Sequence, residues 1–490
     1  MNYKRVVIID PLPDDVFVEI FDLCIRDPTK FLFRRMRKWL ILAHVCQRWR
    51  RIIFASPHRL NLYLPCIRGA LVRQNLVYWP LSFPLVIDYP GPVSRYDPTP
   101  GDEDNIVAAL THANRIHHVN VHGTSSLFGK MATVMQKSFP VLTRLELTWF
   151  REDWEDPLQF LPRDFLSGSA PRLEYLYLGG VSFPGFSTLL LSASNLLTLR
   201  LDDILQSIPP ETMVAGLAVL TSLRTLSIAF REVSQPDQGR NRSNPPMPTI
   251  LPALTLFHYK GCSEYLEDLF PLINTPLVND IWIEYFKGEI QVPQLSRFIG
   301  HTKNLKDAQF RCAHVGFYYD TIDVKLELDL PQGKSLTKIT LTLPGPWSNI
   351  PVPNVVDVLG QVVAIFSNVR NLTIHGAWLQ WKDMDDLDSI EWLLFFRLFP
   401  AVETLHLYGA VVPFIVSALE NITEEMLTRV MPALHLLWLD EDIRRGDYEP
   451  AGSIVRFLSL RQVSGRPVAV VHTKGEFDET LSIKSGLLAV

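Results

Sequence analysis

The chain has 490 residues, 47% hydrophobic and 20% charged, a composition that fits a folded protein and excludes a disordered one. A net charge of −5 spread over this length gives no general attraction to nucleic acid or to a membrane surface. Five scattered cysteines (Cys24, Cys46, Cys66, Cys262, Cys312) argue against a disulfide framework and predict reduced thiols in the cytosol and/or nucleus.

In chain order, MNYKRVVIID has too short an apolar run for a signal-peptide core. The next stretch, PLPDDVFVEIFDLC, places Val16, Ile20 and Leu23 on one helical stripe and Phe17, Phe21 and Cys24 on a second beside it. Asp27-Pro28 supplies a cap and a first-turn proline, so a basic amphipathic helix is expected over residues 29–38. Arg34, Arg35, Arg37 and Lys38, with Arg48, Arg50 and Arg51, form a solvated face, a complement to an acidic protein partner or a nucleic-acid contact, the last disfavoured by the slight overall acidity. After this helix, Leu42, Val45, Cys46, Trp49, Ile52 and Ile53 recur at three- and four-residue intervals. Helices apolar on two faces must bury both, and a module of about 50 residues cannot do so by itself. The surplus face is expected to bind a partner.

Leu12-Pro13, Asp15-Val16 and Glu19-Ile20-Phe21, followed by Val45-Cys46-Gln47-Arg48-Trp49-Arg50, resemble an F-box. The stretch between Cys24 and Ala43 is longer than the usual pattern and contains FLFRRMRKW. The resemblance implies docking onto the small acidic Skp adaptor of a cullin-based ubiquitin ligase. Leu12, Pro13, Val16, Ile20, Phe21, Val45, Cys46 and Trp49 are the candidate adaptor contacts, with Trp49 either the module's core anchor or an interface hot spot. The module is assigned to residues 8–64 and a connecting segment with a Pro-rich linker to 65–105. Asp102 or Asp104 is the expected cap of a helix over residues 106–110.

From residue 106 to 464 the pattern apolar-x-x-apolar-x-apolar recurs. It starts at Ile116, Leu142, Leu173, Leu196, Leu223, Leu254, Val278, Leu305, Leu336, Val369, Val402 and Leu434, at separations of 23 to 33 residues. Helix-like segments such as LSRFIGHTKN, VVAIFSN, IEWLLFFRLFP and ITEEMLTRVMP precede several starts. One strand and one helix per unit resembles a leucine-rich-repeat solenoid, similar to the divergent repeats of fungal F-box proteins. The fold class is therefore α/β: a small all-α F-box, then an irregular solenoid with parallel strands on the concave face and helices outside. Helices are ~10 Å across and strands ~4.8 Å apart, which favours that arrangement. Residues 465–490 are expected to cap the array, after a final helix and strand in GSIVRFLSLRQVSG and PVAVV. Pro-rich segments at 89–101, 232–252 and 344–353 mark loops, the second either a contact loop or a plain insertion.

No catalytic, metal or cofactor motif stands out. GTSSLFGKM at 123–131 has the wrong spacing for a phosphate-binding loop and Met131 in place of a magnesium-binding hydroxyl, so an inter-repeat turn is expected. His117, His118 and His122 are expected as isolated strand histidines, and Asp202-Asp203 and Asp385-Asp386 as turn or cap residues. The outward strand positions are the candidate substrate contacts: Tyr177, Arg200, His258, Trp282, Arg311, His406, Tyr408 and Trp438, with His122, Glu284 and His375 beside them. The sequence thus predicts a non-enzymatic receptor that binds the Skp adaptor and an unidentified protein substrate, without nucleic acid or membrane. The alternatives are a repeat scaffold outside ubiquitination and, from a different class, an enzyme with a diffuse active site.

Overall fold

The computed structural model describes residues 12–25, 32–57, 60, 64–66, 76, 81–89, 100–149, 160–204, 208–231, 248–286, 288, 290–306, 308–318, 320–328, 337–344, 353–376, 389–440 and 454–473. It contains two compact units, Met1–Leu205 and Gln206–Val490.

Unit 1 opens with three helices, α1 (Asp14–Ile25), α2 (Leu32–Val45) and α3 (Gln47–Ala55). The Pro13 carbonyl starts α1 by accepting from the N–H groups of Val16 and Phe17, and Asp14 and Asp15 suit the positive end of the helix dipole. The buried stripe of α1 is Phe17, Val18, Phe21 and Ile25. Cys24, expected on that stripe, is exposed, because a four-residue step from Phe21 falls on Ile25. The basic helix is longer than the 29–38 expected and reaches Val45, since no breaker separates Lys38 from that point. At Cys46 the chain turns extended and the Cys46 thiol accepts from the Trp49 N–H at 3.4 Å, so the periodic run over 42–53 is divided between two helices. Trp39 and Phe54 pack against Phe83 at 5.7 and 5.5 Å between ring centroids, which ties the helices to the chain entering the sheet.

The sheet of unit 1 consists of β1 (Leu64–Cys66), β2 (Leu85–Tyr89), β3 (Ile116–Gly123), β4 (Arg144–Trp149), β5 (Tyr175–Gly179) and β6 (Thr198–Ile204), adjacent in that order and parallel. It thus begins at the last residue assigned to the module and runs through the segment expected to be a connector. Asp102 and Asp104 lie within the helix Pro100–Leu110 and not at its cap, because Pro100 occupies its first position. Asp203 has φ +56° within β6, so the Asp202-Asp203 pair belongs to a strand and not to a turn; Asp385-Asp386 lies outside the described residues.

Unit 2 contains β7 (Thr225–Phe230), β8 (Thr249–Ile250), β9 (Leu256–Gly261), β10 (Ile273–Asn274), β11 (Asp280–Tyr285), β12 (Cys312–Phe317), β13 (Thr321–Glu327), β14 (Lys338–Pro344), β15 (Asn371–Gly376), β16 (Thr404–Gly409), β17 (Leu436–Asp440) and β18 (Ala469–Thr473). Its sheet order is β7-β9-β11-β14-β13-β12-β15-β16-β17-β18, while β8 and β10 form a separate pair. The order inverts between β11 and β15. There β12, β13 and β14 form a meander, with β13 antiparallel to both neighbours. Only residues 318–320 join β12 to β13, and Tyr318 N–H bonds Thr321 O at 2.9 Å. A link that short permits a hairpin but no parallel crossover.

The same backbone turn precedes the strands. At every expected start except Leu336, which lies outside the described residues, the N–H donates to the carbonyl three residues back, as in Leu142 to Phe139 (3.2 Å) and Val369 to Phe366 (3.1 Å). A second ladder joins neighbouring turns. Arg311 O accepts from Arg370 and Asn371, and Arg370 O accepts from Glu403 and Thr404, at 2.8–3.0 Å. Leu305 closes such a turn, yet its strand starts only at Cys312. Inward residues such as Leu145, Leu147, Leu176, Leu199, Leu405 and Leu437 are fully buried beneath the helices, and alternate residues point to the other face.

Of the helix-like segments, LSRFIGHTKN and IEWLLFFRLFP fall in the helices Pro293–His301 and Ser389–Phe396, while the other two do not. VVAIFSN and ITEEMLTRVMP form short 3-10 turns, Val363–Phe366 and Met426–Thr428, and the helices lie upstream at Pro353–Gln361 and Val412–Glu420. The expected final helix and strand are Val455–Val463 and β18. Arg461 is buried and donates to the carbonyls of Met431 and Leu434, fastening that helix to the turn before β17.

Two glycines separate backbone demand from free space. Gly409 has φ +69°, and a Cβ there would collide with the Gly376 carbonyl, which accepts from Ala410 N–H at 3.0 Å. Gly360 is helical with nothing within 4 Å of an added Cβ. Gly409→Ala is expected to cost about 1–3 kcal/mol, and Gly360→Ala to gain about 0.4–1 kcal/mol. Urea unfolding midpoints that moved the same way for both would contradict this assignment.

Candidate interaction surfaces

Two kinds of surface carry the candidate contacts. The first lies on the helical module. Phe17 and Phe21 hold Trp49 between them at centroid distances of 5.7 and 4.9 Å, so the tryptophan is a half-buried anchor of the module's core. Phe21 is 0% exposed and also serves that core. The other stripe of α1 remains uncovered: Val16 and Ile20 are exposed, Leu23 is 73% exposed, and Val45 at the end of α2 is 57% exposed. Pro13 and Cys46 are exposed as well, and Leu12 is half-buried. Arg48 donates to Asp14 at 2.8 Å and to the Leu12 carbonyl at 2.5 Å, with its guanidinium 4.9 Å from the Phe17 ring centroid. It fixes the Leu12-Pro13 entry against α3.

The second surface is the sheet face opposite the helices. In unit 1 the register sets Asp88, Asn120, Glu146, Tyr177 and Arg200 in one row. Arg144 bonds Glu146 and stacks 3.8 Å from the centroid of Tyr175; Arg200 bonds Asp202 at 3.2 Å and lies over Tyr177 at 5.3 Å. Burial pushes the Asp88 carboxyl up, a bond from Asn120 opposes this, and the nearby Glu146 adds to the rise. The Tyr177 hydroxyl is likewise raised, by burial and by Asp202. His118 faces Arg144 across the strands, and His122 is exposed at the position opposite Thr148.

In unit 2 the corresponding row is Ser227, His258, Trp282, Thr340, Lys325, His314, Thr373, His406, Trp438 and Val471. His258 lies 4.9 Å from Trp282, and His406 stacks on Trp438 at 5.4 Å with 4° between the planes. Lys260 pairs with Glu284 at 2.5 Å beside this row. Arg311 departs from expectation: it precedes β12 in the turn ladder, not on the strand face. There it lines a shallow cavity of about 190 Å³ with Gln309, Asn368, Arg370, Ala401, Glu403 and Ala433.

Ser227 Oγ lies 2.8 Å from His258 Nδ1, and Ser227 is buried. The GTSSLFGKM segment is the end of β3 and the helix Ser125–Val134, not the turn expected. Its Lys130 amine is held by Asp104 at 2.8 Å and Glu103 at 3.2 Å.

Strand–turn–helix repeats joined through a sheet that is parallel except at β13 are leucine-rich-repeat-like. No family model matches the sequence, and no curated protein matches it. Among solved structures, the chain is similar to the leucine-rich-repeat-containing protein LegL7 from Legionella pneumophila. The two are 12% identical, the alignment covers 88% of this chain and 99% of that one, and the TM-score is 0.27. The repeat description rests on the strand register and turn ladders.

Two histidines give the sheet face a pH dependence. Burial first, then Arg144 and His117, push His118 down to about 4, and burial with His314 does the same to His406. The unfolded value is about 6.5, so the folded chain binds fewer protons in the interval. Stability from this source is complete above about 6.5 and is lost as pH falls toward about 4. Melting temperatures between pH 7.5 and 4.5 should fall less steeply for a His118→Asn, His406→Asn variant than for the wild type. Parallel curves would remove these imidazoles as the cause.

Proposed function

We propose that the chain is a non-enzymatic substrate receptor of a Skp–cullin–F-box ubiquitin ligase, acting in the cytosol and/or nucleus. In this reading the helical module docks the Skp adaptor and the repeats hold a protein substrate. The observation that carries it is the uncovered apolar stripe Val16, Ile20 and Leu23 with Val45, on a module whose core is already filled by Phe17, Phe21 and Trp49. Burying each large apolar side chain contributes about 1.5–3 kcal/mol, enough for a few of them to support a complex after association costs. The F-box resemblance supplies the identity of the partner. Acting by proximity, the receptor would hold a substrate where ligase-bound ubiquitin reaches its lysines.

The structure separates residues that fold the module from those available to a partner. Ile20→Asp and Val45→Glu, both at exposed positions, should leave the melting temperature near that of the wild type while reducing co-purification with the Skp adaptor at least tenfold. Phe21→Ala should lower stability by about 3–5 kcal/mol. A wild-type chain that does not bind the adaptor would end the ligase assignment and leave a repeat scaffold in its place.

A further inference from the structure

The sheet face of unit 2 changes character along its length. Over β12, β15, β16 and β17 it gathers His314, Tyr318, His375, His406, Tyr408 and Trp438. Tyr318 meets His375 edge-on at 5.4 Å, and Tyr408 Oη lies 3.2 Å from His406 Nδ1. Gly316 makes this packing possible, because a Cβ there would come 2.7 Å from the Tyr318 ring. Thr373 is the short side chain of the group. It sits between His314 and His406 across the strands and two residues before His375 along β15. The register therefore puts a low point among rings.

Three observations define the chemistry of that point. Burial lowers His314 as well as His406, the latter to about 4, so both rings are neutral at neutral pH. On β13, Lys325 lies 3.9 Å from Asp323, which also accepts from Thr342 at 2.8 Å, and Glu327, which acts on His314, sits in register opposite Lys338 of β14. At the strand starts, Arg370 pairs with Glu403 at 3.1 Å. A charged side chain entering among neutral rings would lose hydration without gaining one of these as a free counter-charge. An aromatic side chain gains ring contacts and keeps the tyrosine and imidazole polar edges as hydrogen-bonding groups. A cationic side chain, which can also lie against ring faces, is the principal competitor.

We propose that the face of β12, β15, β16 and β17 binds an extended segment of a protein partner through an uncharged aromatic side chain seated at Thr373, among Tyr318, His375, His406, Tyr408 and Trp438. The inference rests on the reading of the repeats as the partner-holding part of the chain, and it adds the chemical class of the partner's recognition element. It does not depend on the adaptor.

The test is selection of a phage-displayed random heptapeptide library on the full chain at pH 7.5, with each enriched peptide re-measured against Thr373→Trp. That substitution fills the low point and removes none of the rings. Thr373→Arg provides a second block if the indole overpacks the row, and melting temperature checks that each variant folds. Enriched peptides should centre on Trp, Phe or Tyr flanked by uncharged residues and should bind Thr373→Trp at least tenfold more weakly. Peptides centred on Lys or Arg, peptides centred on Asp or Glu, equal binding to the variants, or no enrichment would each overturn the proposal. So would sedimentation showing that a second copy of the chain occupies this face in the wild type and is lost in Thr373→Trp. Adaptor co-purification with Thr373→Trp should equal wild type, so failure here and failure of the ligase reading are read from separate experiments.

Discussion

Everything in the repeats depends on one constraint: a strand with buried residues on one face has no core until its neighbour supplies the other half. The two backbone ladders enforce that partnership. A carbonyl such as that of Arg370 accepts from two successive N–H groups of the next unit, which fixes both the spacing and the register of the strand that follows. Once register is fixed, leucines such as Leu405 and Leu437 align under the helices and the alternate side chains align on the opposite face. The rows Asp88 to Arg200 and Ser227 to Val471 are thus products of the core's geometry. This ordered outer face is obtained without further conformational specification, because the residues that compose it are those the core leaves over.

The same constraint explains what was legible in the sequence. Strand starts were legible because the first apolar residue of each pattern closes a turn and the next two are buried, and most strands begin two residues after it. The meander was not legible. Thr321–Glu327 alternates with period two and has no turn-closing residue ahead of it, so it carries a strand signal but not the repeat signal. Misplacing Arg311 is a consequence, since the strand starts seven residues after Leu305 and not two. Helix positions were less legible than strands. Apolar residues beneath a short 3-10 turn and beneath an α-helix have similar spacing, and for that reason ITEEMLTRVMP reads as a helix although the helix of that unit lies upstream at Val412–Glu420. Tyr318 escaped notice because its place on the face depends on the hairpin and on Gly316, neither of which follows the repeat.

In the helical module the division between folding and surface is made by a single aromatic contact. Trp49 fits between Phe17 and Phe21, which commits one stripe of α1 to the interior and turns the stripe at Val16, Ile20 and Leu23 outward. Sequence spacing identified both stripes but left Trp49 ambiguous, because its periodic position suits either role. The break at Cys46 resolves the ambiguity physically. It starts a new helix whose first turn carries Trp49 back onto α1, while Arg48 on the adjacent face holds Asp14 and the Leu12 carbonyl.

Neutral histidines on a sheet face have a cost that bears on function. Held near 4 by burial, His406 adds no charge at neutral pH, yet its imidazole is a poorer hydrophobe than leucine and makes the fold sensitive to acid. A leucine in its place would remove that sensitivity but could neither hydrogen-bond Tyr408 nor stack flat on Trp438 as the imidazole does. The ring retains planarity and a hydrogen bond while remaining uncharged. In the proposed binding role those properties would favour discrimination between partners over simple adhesion, since an uncharged ring cluster with fixed polar edges rewards shape and edge complementarity more than bulk hydrophobicity.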